Sequence, residues 1–139
     1  KGIAIDGSVF EANETPFSYG MACYPEKHEE APNMESDIFY LKEKVKNGAD
    51  YLVTQMFFDN EKYYAFVDRC RAEGITVPII PGIKPIVFKN QLTVLPKIFR
   101  SDIPEPFATE LRKCKTDDEA KAVGVEWCIQ QCKDLIGIG

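Results

Sequence analysis

Three short apolar runs, separated by stretches of helical period, constrain this chain more than any other feature. Phe17–Cys23 (FSYGMAC), Tyr51–Phe58 (YLVTQMFF) and Val77–Ile83 (VPIIPGI) have the lengths and compositions of strands. The first follows Pro16, and the third carries prolines that a strand tolerates only at its ends. Between the first two, Ile38, Leu41 and Val45 recur at i, i+3 and i+7, the stripe of one helix face. Between the second and third, Asp59 or Asn60 can cap a helix bearing Tyr63, Phe66, Val67 and Cys70. Gly48 and Gly74 stand where each helix would end. Strand–helix–strand order implies parallel strands, since the helix returns the chain to the end where the previous strand began. The runs scarcely alternate, which predicts strands buried on both faces.

Further helices are expected at 88–100, with Pro96 as a kink or break, and at 104–114, starting at a proline. Thr116 to Glu119 is a T-x-x-E capping box opening a long helix through Ala120, Val123, Trp127 and Leu135. The expected fold class is α/β, about three parallel strands with their helices. That is either part of a (β/α)8 barrel with its last strand missing or a small doubly wound sheet. The chain stops at Gly139, just after a helix where another strand would be expected, which favours a fragment of one domain with 1–16 as a lead-in segment.

A net charge of −5 disfavours nucleic acid and anionic membrane as partners, and no apolar run approaches a membrane span. The 5 cysteines (23, 70, 114, 128 and 132) are odd in number and form no C-x-x-C, so free thiols in a reducing cytoplasm are expected. Cys128 and Cys132, spaced i, i+4, could chelate a metal, but buried small hydrophobes are the expected reading.

Ligands of parallel α/β folds bind where strands end. After the first run comes ACYPEKHEE, with Tyr24, the single histidine His28 and three carboxylates. Read alone, this turn is open to four roles: metal site, acid/base site, cofactor pocket or polar loop. Gln55, an amide within an apolar run, is either satisfied by nearby backbone or offered to a polar heterocycle. No nucleophile stands beside a base, and no glycine-rich phosphate loop is present.

Four motifs in order carry a family resemblance: Y-P-E-x-H at Tyr24–His28, L-K-x-K-V-x-x-G-A at Leu41–Ala49, T-Q-x-F-F-D at Thr54–Asp59 and P-G-I-x-P at Pro81–Pro85. They resemble the methylenetetrahydrofolate reductases. The resemblance implies strands five to seven of a (β/α)8 barrel, with FAD as cofactor. It also implies hydride passage from NADH or NADPH to 5,10-methylenetetrahydrofolate, giving 5-methyltetrahydrofolate. It assigns Ala22, Tyr24, His28, Ala31, Asp37 and Lys44 to the cofactor and Gln55 and Gln91 to the substrate. Leu95 stands where the family often has an aromatic residue. The family's general-acid glutamate and two further site residues belong to other strands, so no catalytic residue and no turnover are expected of this chain alone. The alternative is a small α/β module that binds a nucleotide or a partner without catalysis. Cut strand edges recruit copies, so a homo-oligomer is expected.

Overall fold

The computed structural model describes residues 2–11 and 17–137; Pro16 and Gly139 lie outside them. Strands β3 (Gly20–Cys23), β4 (Tyr51–Thr54) and β5 (Ile79–Ile80) form a parallel sheet in that order. Helix α1 (Met34–Lys46) crosses from β3 to β4, and α2 (Asn60–Ala72) from β4 to β5. Consecutive strands are neighbours, so the chain steps across the sheet in one direction, as in a barrel. A doubly wound sheet reverses at its switch point. The arrangement is a partial (β/α)8 fold. Among the described residues of the lead-in, β1 (Gly2–Ile3) and β2 (Val9–Phe10) form an antiparallel pair.

Register sets which side chains share a face. Met21 pairs with Leu52, Cys23 with Thr54, and Leu52 with Ile79. Their face packs on α1 and α2 in a core of Cys23, Ile38, Leu41, Leu52, Phe66, Cys70, Ile75 and Ile79. The other face carries Gly20, Ala22, Tyr51, Val53 and Ile80, with Val53 39% and Ile80 46% exposed. The expectation of strands buried on both faces is thus corrected: helices cover one face, and among the described residues the face that a closed barrel turns inward is uncovered.

Helices α3 (Gln91–Phe99), α4 (Glu105–Lys113) and α5 (Asp117–Leu135) build a second core. Leu95, Phe107, Leu111 and Ala120 meet Phe58 and Ile86, residues that follow β4 and β5. The Phe107 ring stacks on Trp127 at 4.5 Å. The indole N–H of Trp127 donates to the Phe58 carbonyl at 3.0 Å, fixing α5 to the segment leaving β4. Pro96 sits inside α3 without ending it. Leu95 is core, 4% exposed. Cys23, Cys70 and Cys114 are buried, but Cys128 is intermediate and Cys132 exposed, which corrects the expectation of a buried pair.

Candidate cofactor cleft

The backbone leaving β3 folds into a tight turn because three local groups hold it. The Lys27 N–H donates to the Tyr24 carbonyl at 3.2 Å and the Ala31 N–H to the His28 carbonyl at 3.1 Å. Asp37, in the first turn of α1, accepts the His28 N–H at 2.8 Å. Lys27 itself adopts φ 77°, a left-handed conformation unfavourable for a side-chain-bearing residue. Its ammonium offsets that strain by donating to the carbonyls of His28 (2.7 Å) and Ala31. The sequence motif gave no signal for this clamp.

The turn brings Tyr24 and His28 edge to face, ring centroids 4.5 Å apart and planes at 81°. Lys44, from the last turns of α1, donates to the Ala22 carbonyl at 2.9 Å and lies 5.9 Å from the Tyr24 ring centroid. Tyr24, His28, Ala31, Asp37 and Lys44, five of the six residues assigned to the cofactor, line one cleft of about 370 Å³. Tyr40 lines it too; its period on α1 placed it outside the apolar stripe, and no motif pointed to it.

The sixth residue, Ala22, lines a second cleft of about 310 Å³ on the bare sheet face, with Gly20, Tyr51, Val53 and Gln55. Tyr24 borders both clefts. Gly20 lets the Tyr51 ring lie across it, since a Cβ would stand 2.4 Å from that ring and would push it aside. The Gln55 carboxamide oxygen accepts the Met56 N–H at 3.0 Å, so the amide is partly satisfied locally. Gln91 lines neither cleft; its carboxamide oxygen takes the N–H groups of Val87 (2.8 Å) and Phe88 (3.1 Å).

Burial and charge divide the neighbouring groups. Burial pushes the Cys23 thiol up to about 12, so it stays protonated and is no nucleophile. Burial also raises the Glu26 carboxyl, which the Asp102 N–H (2.7 Å) and the Lys62 ammonium (3.3 Å) only partly offset. The exposed carboxylate of Glu29 meets the Arg100 guanidinium at 2.8 Å. Among the described residues no group of three or more His, Cys, Asp or Glu is placed to hold a metal. The cleft offers instead an aromatic edge, an imidazole and the Lys44 ammonium, with the carboxylates of Glu30 and Asp37 in the same lining.

Sheet, crossover helices and strand-end clefts define a segment of an α/β barrel with clefts where its strands end. The family model for methylenetetrahydrofolate reductase matches residues 9–139. A Caenorhabditis elegans protein named probable methylenetetrahydrofolate reductase (NADPH) is 41% identical over 124 residues, covering 88% of this chain and 19% of that protein. An Arabidopsis thaliana methylenetetrahydrofolate reductase (NADH) is 35% identical over 133 residues, 88% of this chain and 22% of that protein. A 5,10-methylenetetrahydrofolate reductase of Pectobacterium carotovorum is 38% identical over 120 residues, 86% of this chain and 40% of that protein. The chain therefore belongs to the methylenetetrahydrofolate reductase family, and spans less than half the length of these relatives. In fold it is similar to a Clostridium thermocellum protein that binds two copies of 5-methyl-5,6,7,8-tetrahydrofolic acid, with TM-score 0.63 and 18% identity over 87% of this chain and 42% of that one.

Proposed function

We propose that this chain supplies one wall of an FAD site in a reductase of 5,10-methylenetetrahydrofolate. The observation that carries the reading is the convergence of Tyr24, His28, Ala31, Asp37 and Lys44, drawn from a loop and a separate helix, on a single cleft. Their chemistry fits the group. Lys44 provides the cation that a pyrophosphate needs, Tyr24 and His28 provide ring edges, and Asp37 holds the turn through the His28 N–H. A bound flavin supplies a two-electron carrier between NAD(P)H and the folate. Gln55, on the adjoining cleft, offers an uncharged donor and acceptor to the folate's heterocycle. We assign Gln91 to the substrate as well, with its loop contacts fixing where it stands. The catalytic acid lies on no residue of this chain, so the isolated chain binds without turning over. The free thiols fit a reducing cytoplasm, and the outer edges of β3 and β5 fit self-association.

Flavin fluorescence during titration of the 139-residue chain with FAD tests the site. Saturable quenching is expected, weakened at least tenfold by Lys44→Met and by His28→Ala. Equal affinity of wild type and both variants would overturn the assignment. In the same preparation, NADH and NADPH oxidation with the folate should stay at background, and turnover at rates typical of the family would refute the incomplete-site reading.

A further inference from the structure

The turn that carries Tyr24 and His28 is tied to a distant part of the chain. Glu26 lies at its centre, its side chain only 12% exposed. One carboxylate oxygen accepts the Asp102 N–H at 2.7 Å, 76 residues away, and meets the Lys62 ammonium at 3.3 Å. Lys62 bridges onward to the Asp102 carboxylate. The other Glu26 oxygen is buried without a hydrogen-bond partner. Three segments meet there: the strand-end turn, the first turns of α2, and the connection between α3 and α4. A second tie, Glu29 to Arg100, reaches the same connection, but both partners are more than half exposed. Exposed pairs of that kind contribute little, whereas breaking a half-buried pair leaves a charge stranded.

We propose that Glu26, Lys62 and the Asp102 backbone form a clasp that positions the Tyr24–Ala31 turn, so that the α3–α4 connection sets the shape of the cofactor cleft. The inference rests on the cleft assigned above, and Glu26 and Lys62 act on it through Tyr24 and His28 as positioning residues. Gln at 26 retains an acceptor for the Asp102 N–H, whereas Ala retains none. Lys62→Met leaves the Glu26 carboxylate buried without its cation. The Glu29–Arg100 pair is an internal control on the same connection.

Hydrogen exchange followed by mass spectrometry on the 139-residue chain reads the clasp without any ligand. Glu26→Ala and Lys62→Met should each speed exchange of the amides at residues 27, 28 and 31 about tenfold, leaving β4 and α4 unchanged. Glu26→Gln should restore near-wild-type protection, and Arg100→Met should change it less than twofold. Unchanged turn amides in Glu26→Ala and Lys62→Met would overturn the proposal, as would a rise spread evenly over the chain. FAD titration of the same variants adds the functional arm: weaker binding in step with faster exchange is expected, and undiminished affinity despite a loosened turn would also overturn it. A wild-type chain with no affinity for FAD would instead refute the preceding function, while the exchange pattern still decides the clasp.

Discussion

Glu26 shows how burial and pairing compete at one residue. Its carboxyl is raised first by desolvation, with the Asp102 N–H and Lys62 pulling the other way. A carboxyl raised in the folded state binds its proton more tightly folded than unfolded. Its stabilising contribution is therefore present below the ordinary value and lost as pH rises through the folded value. Glu26→Gln removes that loss. Its melting temperature should match wild type near pH 4 and exceed it at pH 7, measured by circular dichroism. A gap that shrinks on going to pH 7 would contradict the assignment. None of this was legible in the turn motif, which shows Glu26 only as one of three adjacent carboxylates. The partners Lys62 and Asp102 are 36 and 76 residues away.

At the scale of elements, caps and close approaches explain what the sequence showed and what it hid. Asp59 accepts the Glu61 N–H and Thr116 the Glu119 N–H, as the capping signals predict, and Gly48 (φ 105°) and Gly74 (φ 82°) take the left-handed positions after α1 and α2. The capping box is not reciprocal in the usual sense, because Glu119 reaches back to the Lys115 N–H rather than to Thr116. The strand β5 is shorter than its apolar run, since Pro78 and Pro81 flank it and have no N–H to donate to a ladder. Tertiary contact, invisible to periodicity, decides the glycines. Gly124 lies inside α5, where Ala would gain about 1 kcal/mol of helix propensity. A Cβ there would stand 1.9 Å from the Ile86 carbonyl oxygen, a backbone atom. Overpacking of that kind costs about 1–3 kcal/mol, so the clash exceeds the propensity gain. Gly124→Ala should lower stability in urea denaturation, and a stabilised variant would show that α5 shifts freely. Gly82 follows the same logic in the P-G-I motif. Its N–H donates to the Thr54 hydroxyl oxygen at 2.8 Å, and a Cβ would approach the Thr54 carbonyl oxygen at 2.2 Å.

Across the whole molecule, the sheet has a covered face and a bare one, and the sequence could not distinguish them. Leu52 and Val53 are adjacent residues of one strand, both apolar, in a run that reads as buried throughout. Pleating sends Leu52 into the α1–α2 core with no exposure and Val53 to the open face at 39%. Apolarity on both faces is what a strand of a closed barrel needs, so the composition of β4 reports the barrel's inner face even where the described residues leave it uncovered. Energetics should follow the geometry. Leu52→Ala removes a packed side chain and leaves a cavity, expected to cost about 2–5 kcal/mol. Val53→Ala removes surface already near water and should cost less than about 1 kcal/mol, because little transfer energy and no cavity are involved. Urea denaturation of the two variants separates these cases. Equal losses would mean that the inner face is covered in solution, with self-association as the first explanation to examine by sedimentation. An asymmetry of several-fold would establish the open face, and with it the second cleft of Gly20, Tyr51, Val53 and Gln55 as a surface reached directly from solvent.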